Sequence, residues 1–228
     1  MGQSWRHLLF AHWPIDPERL AGAVPPQLPL DLRDGQAWIG VTPFRVEGLR
    51  LRGLPPPPLA SRFLEVNVRT YVTVEGRPGI YFLSLDANSR AAVAVARRTY
   101  RLPYFHARIS LESEGGGFRF QSRRISADGA PAELSVTYAP TGRRVPEGED
   151  SLARFLAERY CLYTLSESGR IHRADIQHPP WPLEEATGKV ERNTMAAPYG
   201  LELSDAPALH FSQLQDVVLW NIRPVAEC

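Results

Sequence analysis

Phe63-Leu64-Glu65-Val66-Asn67-Val68-Arg69-Thr70-Tyr71-Val72-Thr73-Val74 is the stretch on which the fold class turns. Side chains of an extended chain point alternately to its two faces, so polarity alternating at a period of two over this length predicts one long strand. Leu64, Val66, Val68 and Thr70 fall on one face; Glu65, Asn67 and Arg69 fall on the other. Such a strand turns its polar side either to water or to the lining of a pocket, and the residues alone leave both open.

Moving outward, Glu75-Gly76-Arg77-Pro78-Gly79 supplies a turn, and Ile80-Tyr81-Phe82-Leu83-Ser84-Leu85-Asp86 returns as the hairpin partner. Ala87 to Tyr100 is alanine-rich and free of glycine and proline, with Ser89 placed to cap it, and predicts a helix. Asp86 and Arg97 or Arg98 then read as partners of that helix's two ends. Upstream, strands are expected at residues 5–13 and 37–44, with a short helix from Glu18 to Ala23 between them. Downstream, strands are expected at 105–112, 117–125 and 132–138, followed by a helix from Ser151 to Tyr160. Four consecutive prolines, Pro55 to Pro58, suit a surface loop and exclude ladder-forming strand. No repeat or linker divides the chain, so residues 1–228 are expected to form a single α+β, β-rich domain.

With 43% hydrophobic residues the chain can bury a sizeable core without disulfides or metal. A formal charge of +1 gives no electrostatic case for nucleic acid or an anionic membrane surface. Cys161 and Cys228 have no metal or disulfide spacing, and no apolar run reaches the length of a leader or a membrane span. Reduced thiols and a cytoplasmic location are expected. Of 26 basic residues only one, Lys189, is a lysine, and Thr187-Gly188-Lys189 reads as an exposed turn.

Phosphate-cradling glycine loops, a nucleophile elbow, Cys-x-x-Cys and His-Glu-x-x-His are all absent. Neither a cofactor nor a metal is expected. His12-Trp13-Pro14 and His178-Pro179-Pro180-Trp181-Pro182 each present an imidazole on a proline-stiffened backbone; a proton shuttle is one use, and a packed, hydrogen-bonded histidine is the commoner one. Arg159-Tyr160-Cys161-Leu162-Tyr163 reads as core with satisfied polar tips.

Several blocks together resemble the uncharacterised YqjF-like family. They are Phe10-Ala11-His12-Trp13-Pro14, Ala37-Trp38-Ile39-Gly40-Val41, Glu65 to Val72, Pro78-Gly79-Ile80-Tyr81-Phe82, Leu102-Pro103-Tyr104, Glu158-Arg159-Tyr160 and His178 to Leu183. A more distant likeness is to acetoacetate decarboxylase, which implies an antiparallel β-cone or barrel with a few flanking helices and a central cavity. Phe63-Leu64-Glu65 matches that enzyme's aromatic-x-Glu strand. Ala96-Arg97-Arg98 keeps the arginine of its Gly-Arg-Glu segment but not the acid, and Leu102-Pro103-Tyr104-Phe105 stands where its two lysines would be. Schiff-base decarboxylation needs a free amine, so the likeness supports the scaffold and argues against that chemistry.

Two readings follow. In the first, Glu65, Arg69 and Tyr104 meet in a small-molecule pocket: Arg69 or Arg97 pairs a ligand carboxylate, Glu65 carries a proton, Tyr104 donates a hydrogen bond to a carbonyl or enolate, and His12 and His178 complete the lining. Lyase, hydratase or isomerase chemistry would fit. In the second, the chain is a non-catalytic binding or regulatory module whose cavity is filled by Phe63, Tyr81, Phe82 and Tyr104. The expected partner is a small molecule, with no nucleic acid and no membrane, and a homo-oligomer is compatible with the sequence.

Overall fold

The computed structural model describes residues 1–50, 61–146, 151–203 and 205–225. In chain order its first elements are β1 (Gly2–Ile15), α1 (Pro17–Ala21), β2 (Ala37–Arg50), β3 (Phe63–Val74), β4 (Arg77–Ala87), α2 (Arg90–Tyr100) and β5 (Tyr104–Glu114). They continue with β6 (Gly117–Arg124), β7 (Glu133–Arg144), α3 (Leu152–Ala157), β8 (Cys161–Leu165), β9 (Ile171–Gln177), β10 (Glu184–Asn193), β11 (Ala208–Leu219) and β12 (Arg223–Pro224). None of the described helices is long and apolar enough to cross a membrane.

Strands β4, β3, β2, β1 and β11 lie side by side as an antiparallel wall. Both edge strands of the wall fork. Leu85, Asp86 and Ala87 of β4 pair in parallel with β5, whereas Ile80 and Tyr81 pair with β8. On β11, His210 and Phe211 pair with β10, whereas Val218 and Leu219 pair with β9. The hydrogen-bonded order therefore closes twice through the same wall: once through β5, β6, β7 and β10, and once through β8 and β9. Closure removes the exposed edges that an open sheet of this size would present.

The alternation of β3 decides what each side of the wall receives. Val66, Val68 and Val72 enter one apolar cluster with Leu9, Val41, Phe120, Leu134 and Val136, inside the larger ring. Glu65, Asn67, Arg69 and Tyr71 occupy the opposite face, where Leu8, Phe10, Phe44, Phe63, Val93 and Trp181 form a second cluster and Ile80, Leu85, Leu162, Ile176 and Val217 a third. Helix α2 contributes Val93 and Tyr100 to that side, and α3 contributes Ala153 and Ala157. The polar face of β3 is thus covered, not wet: Glu65 and Arg69 are each 5% exposed.

Helix starts follow their caps. The Ser89 hydroxyl accepts from the Ala92 amide at 3.3 Å and the Ser151 hydroxyl from the Arg154 amide at 3.2 Å. Both helices are shorter than expected. Ala87 belongs to β4, paired with Glu65 and His106, and α3 stops at Ala157 because Glu158 leaves helical geometry.

Two further expectations change. Asp86 is not a helix partner: it is fully buried and forms a bidentate ion pair with Arg124, at 2.9 and 2.7 Å. Thr187-Gly188-Lys189 is not a turn but the middle of β10, paired with β7, and Lys189 is exposed there. Gly188 permits this because a Cβ would come within 2.6 Å of the Thr137 carbonyl oxygen. The four-proline segment lies outside the described residues.

Candidate functional site

On the covered face of β3 the side chains form a polar line inside an apolar setting. At one end the Tyr104 hydroxyl, from the first residue of β5, donates to Glu65 Oε2 at 2.9 Å. Burial pushes the Glu65 carboxyl up to about 7; hydrogen bonds from Tyr104 and Asn67 pull it back, and the charge of Asp86 adds a small upward push. Tyr104 is held well above the ordinary phenol range by burial first and then by Glu65, so it stays protonated and acts as a donor.

At the other end, Tyr71 Oη lies 2.6 Å from His12 Nε2. Burial, then the charges of Arg69 and His210, hold His12 well below the usual imidazole range, so the ring is neutral. Arg69 lies between these two ends, its guanidinium carbon 5.1 Å from the Phe10 ring centroid. Gly40 sits opposite Arg69 and opposite His12 in the strand register. A Cβ there would fall 2.9 Å from His12 Cδ2 and 3.4 Å from Arg69 Cγ, so both side chains depend on the absence of one carbon atom.

Arg69 has no ion-pair partner among the described residues, and its Nε and Nη2 are buried without a hydrogen-bond partner. Asn67 Oδ1, Thr42 Oγ1 and His12 Nδ1 are in the same condition. Thr42 is the direct cross-strand partner of Asn67, so these atoms come from adjoining positions on one face. Buried polar atoms ordinarily find partners, and several without one lie together on this face.

The expected site residues separate into two groups. Glu65 and Tyr104 meet directly, whereas Arg69 does not join them; it belongs with His12 and Tyr71, and Asn67 lies between the two groups. Arg97 is exposed and employed elsewhere: its Nε donates to the Tyr104 carbonyl at 2.5 Å and its Nη1 pairs with Asp128 at 2.8 Å, which fastens α2 to β5. His178 faces the carbonyl oxygens of Pro179 at 2.8 Å and Arg159 at 3.2 Å, and stacks on Tyr160 at 4.5 Å. It is set apart from His12 by Trp181 and Phe10, which contact each other edge to face.

Sequence reasoning missed Tyr71, Thr42 and Arg159. Tyr71 carried a usable signal, because it continues the Glu65, Asn67, Arg69 alternation by one more step. Arg159 is buried, pairs with Asp31, and covers the Tyr71 ring at 4.9 Å and the Phe155 ring at 4.3 Å. Nothing in the local sequence announces that role. Phe63 and Tyr104 do not fill a central space; they line a cavity under α2, while Phe82 packs in the third cluster and Tyr81 against the first.

The raised Glu65 carboxyl has a direct thermodynamic consequence. A folded-state pKa of about 7 against an ordinary 4.5 means that the folded chain holds this proton more tightly than the unfolded chain. The associated stability is complete below pH 4.5 and is lost as pH rises through about 7. At ~1.4 kcal/mol per unit, the loss is roughly 3 kcal/mol. Urea unfolding across this range should show the decline in the wild-type chain and a flatter profile in Glu65→Gln; equal slopes would contradict a desolvated carboxyl.

Comparison with known proteins agrees with this architecture. The model of the DUF2071 family, described as an uncharacterized conserved protein, matches residues 2–216. The uncharacterized protein YqjF of Bacillus subtilis (strain 168) is 42% identical over 224 residues, covering 98% of this chain and 91% of that protein. Among solved structures, an acetoacetate decarboxylase from Legionella pneumophila superposes with a TM-score of 0.67 at 14% identity, covering 99% of this chain and 87% of that one. The enduracididine biosynthesis enzyme MppR, complexed with pyruvate, superposes with a TM-score of 0.67 at 13% identity, covering 99% and 90%. At such identities the likeness establishes the fold, which is that of the acetoacetate decarboxylase-like proteins.

Proposed function

We propose that this chain, which belongs to the DUF2071 family of uncharacterized conserved proteins, binds a small carboxylate- or carbonyl-containing molecule on the covered face of β3. The observation that carries the reading is Arg69: a guanidinium 5% exposed, with two unpartnered nitrogens and no carboxylate against it among the described residues. An arginine keeps its charge even when buried, and an uncompensated buried cation is costly, so the site is built for an anion that arrives from outside. Asn67, Thr42 and His12 supply further hydrogen-bonding atoms beside it.

Glu65 and Tyr104, the separate group at the other end of the β3 face, give that face a means of moving a proton. With its carboxyl near 7, Glu65 is populated in both protonation states around neutral pH, as a general acid or base requires. Tyr104, fully protonated, can transfer its hydrogen bond from Glu65 to a ligand carbonyl or enolate oxygen. These roles suit proton transfer next to a carbonyl, in a lyase, hydratase or isomerase. They do not suit Schiff-base decarboxylation: the only lysine, Lys189, is exposed on β10. That MppR was found complexed with pyruvate is in keeping with a small carbonyl acid as ligand on this scaffold. The exclusion of the amine mechanism is also what favours the second reading, a binding or regulatory module without turnover.

Pyruvate is the probe for both. Calorimetric titration should show saturable binding to the wild-type chain between pH 6 and pH 8, with an affinity that changes as Glu65 titrates. Glu65→Gln should remove the pH dependence, and Arg69→Met should abolish binding, because the guanidinium is the group a three-carbon acid can reach while the Glu65–Tyr104 pair lies ~13 Å along the same face. Binding that is indifferent to both substitutions would sink the assignment of these two residues.

A further inference from the structure

We infer that the acid taken up at Arg69 is a short hydroxy acid, held by its carboxylate on the guanidinium and by its hydroxyl on the Asn67 amide oxygen. This deepens the reading of Arg69 as an anion site and rests on it. Tyr71 hydrogen-bonds the guanidinium, and the two nitrogens left without a partner are Nε and Nη2. These two N–H groups form one edge of the planar guanidinium, an edge that takes both oxygens of a carboxylate in parallel.

Asn67 presents the opposite polarity. An ionised carboxylate only accepts hydrogen bonds, so the bond between Asn67 and Glu65 is donated by the amide nitrogen. The amide oxygen is thereby turned away from Glu65, to the Arg69 side, and it is buried without a partner. Strand register brings the two groups to one row. Ala11 pairs with Val41 and Thr42 with Asn67, so Phe10, the next residue of β1, comes to the row of Thr42 and Asn67. The Arg69 guanidinium carbon, 5.1 Å from the Phe10 ring centroid, leans across β2 onto that row. Arg69 nevertheless does not donate to Asn67 Oδ1, which has no partner. A molecule bridging them must offer acceptors to the one and a donor to the other. Thr42 Oγ1, also unpartnered, stands beside Asn67 and can serve either need. A carboxylate with a hydroxyl one or two carbons away meets both demands. A keto acid turns a second acceptor toward Asn67 Oδ1, and the ammonium of an amino acid adds a cation next to a guanidinium that lacks a counter-charge.

The test is a calorimetric series of three-carbon acids on the wild-type chain: propanoate, pyruvate, alanine, lactate and 3-hydroxypropanoate. The better-fitting of the two hydroxy acids should bind roughly tenfold more tightly than propanoate or pyruvate, the equivalent of one hydrogen bond to a buried acceptor, and alanine should bind more weakly than propanoate. Asn67→Leu should bring that hydroxy acid level with propanoate; Asn67→Ala makes the same comparison if the leucine variant does not fold. Equal affinities for the hydroxy, keto and unsubstituted acids would overturn the hydroxyl contact, and the anion site would stand as long as Arg69→Met abolished binding of them all. Alanine binding as tightly as the hydroxy acid would overturn the choice of hydroxyl over ammonium, and a preference that persists in Asn67→Leu would overturn the part given to Asn67. If none of the five acids binds, the anion site and this inference fall together.

Discussion

Replacing Arg124 with methionine is expected to destabilise the fold by about 3–5 kcal/mol, the largest single effect outside the hydrophobic clusters. The Arg124 and Asp86 side chains are 1% and 0% exposed, and two charge-assisted hydrogen bonds join them. Arg124 also donates to the Ala130 carbonyl at 3.2 Å and lies 4.0 Å from the Phe105 ring centroid. Removing it leaves the Asp86 carboxylate buried beside the short parallel seam of β4 and β5, on which closure of the larger ring depends. Burial already pushes the Asp86 carboxyl up despite the pull of Arg124, so without the arginine it would take a proton or open the seam to water. Asp86→Ala should cost a similar amount, and the double change Asp86→Leu with Arg124→Met should recover most of it, because neither charge then remains. Urea unfolding of the three variants checks this; single substitutions within about 1 kcal/mol of wild type would show that the pair carries little of the seam.

That pair also marks where local sequence stops being informative. The alternation of β3, the turn at Gly76 and the caps at Ser89 and Ser151 were legible because each depends on residues a few positions apart. Glu65 and Arg69 were legible as a polar face, and their burial followed once the two rings closed. What joins Asp86 to Arg124, or Arg159 to Asp31 and Tyr71, is closure of the sheet across many intervening residues. The error at Asp86 has this origin: an acid just before a helix is usually its cap, and here the parallel pairing of β4 with β5 carries it into the core instead. Lys189 misled in the opposite way, since Thr-Gly-Lys has turn composition but the glycine serves close strand packing. The separation of Arg69 from Glu65 follows from strand geometry, since four positions along one face span ~13 Å and only Asn67 bridges them.

Arg69→Met is expected to stabilise the ligand-free protein by ~1–4 kcal/mol while abolishing its affinity for small acids. In most proteins removal of a buried arginine destabilises, because a partner carboxylate is left behind; here no such partner is left, as Arg69 makes no ion pair among the described residues. Burial draws its pKa down, Tyr71 pulls it part of the way back through its charge and a hydrogen bond, and the charge of Arg159 lowers it again, so the folded state bears the desolvation of this cation without a full counter-charge. Methionine keeps a flexible apolar stem that can remain against Phe10. It also lifts a positive charge from beside His12, whose pKa should move back toward the ordinary imidazole value. A site that is strained when empty and relieved by its ligand predicts opposite signs in two measurements on one variant: a higher melting temperature without ligand, and no further rise on adding pyruvate, where the wild-type chain gains. Destabilisation of the empty variant by more than about 1 kcal/mol would mean that Arg69 holds the structure together, and retained binding would remove it from the site. Either result would leave the orphaned nitrogens of this arginine without the anion that the proposed function assigns to them.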